Sequence, residues 1–354
     1  MKFPPLICAF LSLVFLGQGT MCFGFETDQY DLPPLPLADI GDEVSDHALK
    51  ELFDVVARMN AEIAARRACI DGTQIEGKHC DGLDEDKKRL EYLMSNDAVA
   101  RELYKKLGDG TFPLTKIGWW INTHEFHDQP ARYKTSYENS IFVLLPTNYL
   151  TISPTIRMYG VEFGVDKIEH FFQQGYTYYK ISEKAAESGI SPANADKKAI
   201  KWGKTSERTF YGSLVSGVFS NADLYANYAG MRFYQGLTKP LKIGDRTRPP
   251  VLTFQGGAWV FTDIGEIRKI FIRPFISEHL NEALNPSIFS FFLRLSIRHV
   301  VKKRACAQWT KEFPTLTKTD LAATSARLEQ WNGEDYGFTE SRKFITIANA
   351  CFAE

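Results

Sequence analysis

Apolar residues recur at helical spacing along much of this chain. Between Asp42 and Ala68, Leu49, Leu52, Phe53, Val56, Met59 and Ile63 form one stripe, which predicts an amphipathic helix. A second helical pattern runs from about Asp84 to Leu107 and breaks at Ser95-Asn96-Asp97, where a new N-cap is expected. Ile141 to Ile156 is rich in Leu, Val, Ile, Thr and Tyr but interrupted by Pro146 and Pro154, so it reads as a short strand or an extended connection. Arg157 to Gly164 reads as another. Further on, Ser191-Pro192 and Asn285-Pro286 each have the form of an N-cap followed by proline at the first helical position, and Asp263-x-x-Glu266 that of a capping box. Ile264 to Leu284 is expected to be a helix kinked at Pro274. Ser287 to Trp309 is expected to be one strongly apolar helix containing Ile288, Phe289, Phe291, Phe292, Leu293, Leu295 and Ile297, with Arg294, Arg298 and Lys302 along a basic edge. Its uncharged run is too short to span a bilayer, so a core helix is preferred over one that touches a membrane surface. The predicted fold class is mainly α: a multi-helix globular domain with a small extended or hairpin element before the central helices and no large sheet.

Composition adds a compartment. The chain has 354 residues, 44% of them hydrophobic and 24% charged, which is enough to bury one large core or two smaller ones. A formal net charge of -1 and the lack of a long basic run argue against nucleic acid as a partner. Lys2, the apolar stretch Leu6–Leu16 and the small residues up to Gly24 have the three parts of a secretory signal peptide, with cleavage after Gly24 or Gly19. Lipidation at Cys22 is the rival reading, but Gly19-Thr20-Met21 is a poor lipobox. Four cysteines remain after removal of 1–24, and spacing favours the disulfides Cys69–Cys80 and Cys306–Cys351 over zinc, since no C-x-x-C occurs. The expected organisation is a signal peptide (1–24), a proline-rich extended arm along the surface (25–41), an N-terminal helical hairpin (42–110) and a main helical domain (111–354).

The candidate chemistry lies between Gly160 and Gly236. Counting 100° per residue from Asp166, Ile168, Phe171, Phe172, Gly175 and Tyr179 share one side of a helix, while Asp166, His170, Gln173 and Thr177 share the opposite one. His170 therefore faces water or a second, polar interior surface. From Asp223 to Tyr234 apolar residues cover most directions, so that helix is expected to be buried; Asp223, Asn227, Gly230 and Tyr234 share a face, and Gly230 admits a close neighbour. A buried Asp223 needs a partner, with His170 the first candidate and Glu207 a third member. The competing explanation is capping: Asp166-x-x-Glu169 and Ser220-x-x-Asp223 both fit capping boxes or close variants. His124 and His127, with Glu125 or Asp128, are a weaker metal candidate, since H-E-x-x-H is absent and two histidines in a polar loop are more often surface residues.

Asp166-Lys167-x-x-His170-Phe171 followed by Asp223-Leu-x-Ala-Asn227-x-x-Gly230 resembles the D-K-x-x-H-F and D-x-x-A-N-x-x-G signatures of VanZ-like bacterial envelope proteins. The resemblance covers about a fifth of the chain and implies that His170, Asp223 and Asn227 belong to one site in the cell envelope. VanZ-like proteins span the membrane several times and carry a glutamate-glutamine pair between the motifs; this chain has no internal span, and Glu207 is only an approximate counterpart. With no dinucleotide fingerprint, phosphate loop or nucleophile elbow, the expected activity, if there is one, is hydrolysis without a cofactor. Its target is a cell-envelope component, peptidoglycan or lipid. His170, Asp223 and Glu207 are the candidate catalytic residues, and Asp166, Gln173, Asn227 and Tyr234 the candidate binding residues. The alternative is a non-catalytic scaffold or binding protein in which they form a buried structural network.

Overall fold

The computed structural model describes residues 26–72, 80–110, 115–144, 149, 152–209 and 217–352; the expected signal peptide and the 210–216 stretch after Glu207 lie outside them. The chain is mainly helical with small sheets. Among the described residues no helix is long and apolar enough to cross a membrane.

The expected N-terminal helix is α1 (Gly41–Ile70), and the second pattern divides into α2 (Leu83–Leu93) and α3 (Asn96–Leu107). The break is made by Ser95, whose hydroxyl accepts from the Ala98 amide and so satisfies one orphan donor of α3. Cys69 and Cys80 are bonded, as are Cys306 and Cys351. The short helix α4 (Lys116–Thr123) follows. Strands β1 (Thr155–Met158) and β2 (Val161–Gly164) then pair antiparallel through Tyr159 and Gly160, both at positive φ, and Asp39 accepts from both their amides.

Two long helices occupy the centre. The first, α5 (Val165–Glu187), starts straight from β2 and ends near Gly189, whose φ of +84° suits a residue without Cβ; α6 (Pro192–Arg208) follows with Pro192 at its first turn. The second, α7 (Asn221–Thr238), leaves strand β3 (Val218–Ser220) and stops before Pro240. Gly175 and Gly230 meet where α5 and α7 cross: a Cβ on Gly230 would collide with the Phe171 carbonyl oxygen, and one on Gly175 would come 2.6 Å from the Gly230 Cα. Phe171, Phe172 and Phe233 pack beside this crossing.

Beyond α7 the helical reading needs correcting. Two antiparallel pairs, β4 (Leu241–Ile243) with β5 (Arg246–Arg248) and β6 (Leu252–Gln255) with β7 (Ala258–Phe261), precede a short α8 (Ile264–Ile270) capped by Asp263. The helix expected to reach Leu284 stops at Ile270, and two short 3-10 turns, Arg273–Phe275 and Glu278–Leu280, replace the rest around Pro274. Asn285 is no N-cap. Its side-chain Nδ2 donates to the His279 carbonyl, and Ser287–Phe289 is a strand, β8, in the middle of a three-stranded sheet with β3 and β9 (Phe344–Ile345). The apolar helix begins only at Phe291, as α9 (Phe291–Val300), and runs through a π turn (Val301–Ala305) into α10 (Cys306–Glu312). α11 (Lys318–Arg327) and α12 (Ile347–Cys351) complete the chain.

The arm also differs from expectation. Residues 26–31 are buried rather than laid along the surface, with Tyr30 donating to the Ile345 carbonyl; Leu35 further along is exposed. The large apolar cluster draws on α1 to α7 together. A smaller one joins Tyr30, Val218, Ala283, Phe289, Leu293, Ile297 and Ile345. The polar residues described next have sequence neighbours in both.

Candidate functional site

α5 enters the protein with nearly every side buried: Val165 to Phe172 all belong to the interior. Its charged residues therefore cannot be solvated and must find partners inside. Lys167, with no exposed surface, is the centre. Its Nζ lies 2.5 Å from Asp166 Oδ2, 2.5 Å from Asp223 Oδ1 and 2.5 Å from Glu282 Oε1. The other Asp166 oxygen accepts from the Thr27 hydroxyl, and Gly164 leaves the room: a Cβ there would strike both groups.

The capping explanation fails for α5. Its N-cap is Gly164, so Asp166 sits inside the first turn and points at Lys167, while Glu169 reaches across to the start of α4. There Glu169 Oε1 accepts from the Thr115 amide at 2.8 Å and its hydroxyl at 3.1 Å, over Gly118, whose missing Cβ makes the space. On α7 capping explains half. Ser220 Oγ accepts from the Asp223 amide at 3.1 Å, but the Asp223 carboxylate turns to Lys167 instead of returning to Ser220. Ser220 Oγ also donates to Glu282 Oε1 at 3.0 Å, and the Ser220 amide donates to Glu207 Oε1 at 3.3 Å.

His170 faces the polar interior. Its Nδ1 lies 3.1 Å from Asn227 Oδ1 and its Nε2 3.7 Å from Asp223 Oδ1. Because a carbonyl oxygen only accepts, the Nδ1 that faces Asn227 Oδ1 carries a proton, and the Nε2 edge of the ring is turned toward Asp223. The Tyr178 hydroxyl is fully buried beside the Asn227 side chain, and Gly203 leaves the room it occupies.

Burial and charge divide the carboxyls. Burial pushes Glu207 well above the usual carboxylate range, with the neighbouring Asp223 charge adding to it against the Ser220 amide and Lys167. Burial likewise raises Glu282 to about 7, opposed by Lys167. Burial would raise Asp223 too, but His170 and Lys167 outweigh it and hold this carboxyl below its ordinary value. Lys167 is disfavoured by burial, yet Asp166, Asp223, Glu282 and Glu26 keep it well above its ordinary value. Burial thus favours the protonated form of Glu207, while His170 and Lys167 favour the ionised form of its neighbour Asp223, so their surroundings push the two carboxyls in opposite directions.

Of the residues expected from the sequence, Asp166, His170, Glu207, Asp223 and Asn227 come together. Gln173 and Tyr234 do not join them. Gln173 is half-buried one turn on, its side-chain oxygen without a partner, and Tyr234 donates to the Phe172 carbonyl at 2.9 Å on the far side of the helix crossing. Lys167, Glu282, Thr27 and Ser220 complete the network and were not anticipated as members. Lys167 stood inside the quoted motif; Glu282 and Thr27 arrive from more than a hundred residues away and left no local signal.

For a metal, Glu26, Asp223 and Glu282 each offer an oxygen, all within 4.8 Å of one another, but Lys167 Nζ already provides the cation against two of them. The His124 and His127 rings do not converge: His124 stacks on Trp120 with Nε2 3.5 Å from Glu43, whereas the His127 ring is exposed against Asp128 and only its backbone amide donates to Glu43. Two surface cavities open elsewhere: an apolar one lined by Phe233, Leu241, Ile267 and Phe271, and one at the start of α9. Comparison with protein-family models, curated proteins and solved structures found no match for this chain.

Proposed function

We propose that this is an exported, envelope-associated protein whose Lys167–carboxylate–His170 network is an acid–base site that binds or hydrolyses a cell-envelope component, peptidoglycan or lipid. The observation that carries it is the geometry: His170 Nδ1 lies against Asn227 Oδ1 with Nε2 toward Asp223, and Glu207, raised by burial, accepts from the Ser220 amide in the same buried cluster. In a hydrolysis His170 Nε2 accepts the proton of the attacking water, Asp223 stabilises the imidazolium, and Glu207 donates to the leaving group. The two segments that resemble VanZ-like signatures contribute His170, Asp223 and Asn227 from two helices that cross. Both disulfides are compatible with export.

The second reading is a structural network in a non-catalytic scaffold or binding protein. It is favoured by Lys167, which is fully buried and held by three carboxylates. Incubating the protein with purified peptidoglycan or with phospholipid, and measuring soluble products released by the wild type, His170→Ala and Asp223→Asn, separates the two. Folded variants that lose product release support the acid–base site. Variants that melt early, with no activity in the wild type, support the scaffold.

A further inference from the structure

The basic edge on the apolar helix has no role in the buried network, and the fold turns it outward. Leu293, Ile297 and Val301 face the smaller core, which leaves the other side of α9 and its π turn to solvent. On that side Phe291 and Leu295, one turn apart, are each 62% exposed. At 100° per residue Arg298 falls within roughly 60° of both. Arg298, Lys302, Lys303 and Arg304 are exposed and Arg294 is half-buried. No Asp or Glu occurs from Phe291 to Lys311, in a chain whose formal net charge is -1. Beside Phe291 an open hollow of about 220 Å³ is lined by Ile288, Phe289, Ser290, Phe291, Arg294 and Lys343, so two cations border a partly apolar recess.

Exposed large apolar side chains on a helix that is otherwise basic match the interface of an anionic bilayer: rings and branched chains enter the acyl boundary while the cations meet phosphates. We infer that the outer face of α9, from Phe291 to Lys303 and with Lys343 beside it, docks on a membrane surface rich in anionic phospholipid. A protein partner would leave the run of cations needing acidic partners, and a free anion would leave Phe291 and Leu295 without a role. The inference does not depend on the acid–base reading. It is nonetheless close to that site in sequence, since β8 leads from Ser287, paired with Ser220, to Phe291.

The test is co-sedimentation of the full-length protein with vesicles of phosphatidylglycerol mixed into phosphatidylcholine, against phosphatidylcholine alone. The expected result is binding to the anionic vesicles only. Arg298→Glu and Lys302→Glu should each weaken it at least about fivefold, the effect of one basic residue near such a surface. The double variant Phe291→Ser/Leu295→Ser should weaken it further at an unchanged melting temperature, because both side chains are exposed. Equal binding to neutral vesicles, no binding, or variants that bind like the wild type would overturn the inference. So would displacement by millimolar inorganic phosphate that chloride at equal ionic strength does not reproduce, which would show a free-anion site.

Discussion

Lys167 Nζ lies 2.5 Å from Asp223 Oδ1, whereas His170 Nε2 stands 3.7 Å from the same oxygen. The lysine ammonium, not the imidazole, is the nearer partner of this buried aspartate. Removing one partner of a buried ion network leaves uncompensated charge, typically at a cost of about 3–5 kcal/mol. Lys167→Met should lower the unfolding free energy by about that amount in urea denaturation. A loss under about 1 kcal/mol would show that the carboxyls do not rely on this lysine.

The crossing of α5 over α7 is set by two missing side chains. A methyl group on Gly230 meets the Phe171 carbonyl oxygen, backbone that cannot move away without shifting the helix. Gly230→Ala should destabilise by about 1–3 kcal/mol despite the better helix propensity of alanine. Thermal melting checks this, and an unchanged or raised melting temperature would show that the helices stand further apart.

Glu169 gives a pH dependence. Burial raises it from 4.5 to about 7, against the Thr115 donors that favour the charged form. The folded state therefore keeps a proton that the unfolded chain has released. This contribution to stability is complete below about pH 4.5 and is lost as pH rises through 7. Glu169→Gln keeps an oxygen for Thr115 and removes the titration. The stability of the wild type relative to this variant should fall between about pH 4.5 and 7, by about 1.4 kcal/mol per unit at most and on the order of 3 kcal/mol in total. A difference independent of pH would mean that Glu169 is ionised throughout.

The two disulfides should differ in worth. Cys306–Cys351 closes 45 residues and Cys69–Cys80 closes 11. On loop-closure entropy the longer is worth about 4 kcal/mol and the shorter about 3. Replacing each pair with serine and measuring urea denaturation should rank them in that order; the reverse order would show that local structure in the unfolded chain, not loop length, decides.

How much of this could be read from the sequence depended on distance along the chain. Ser95, the cysteine pairs and the Gly230 contact are local or set by spacing, and they were legible. The bundle face of His170 was legible as a choice between water and a polar interior, and the fold decides for the interior. The Asp166-x-x-Glu169 pattern misled, because Gly164 rather than a polar side chain precedes α5 and both carboxylates are drawn to distant partners. Lys167 carries no signal of its own in the sequence: on the helical wheel it sits between the polar and aromatic faces, and only burial of both makes it the centre. Glu282 was hidden inside an expected helix. Ser287 read as helical because β8 is short and apolar, and only its pairing with β3 and β9 makes it a strand.

The most direct test of the acid–base site is the His170→Ala variant, assayed for products released from purified peptidoglycan and from phospholipid at matched melting temperature. The account predicts a folded protein with release lost, and His170→Gln no better, since glutamine cannot accept the proton at the Nε2 position. Full release by His170→Ala, or loss of fold without any release by the wild type, would contradict it.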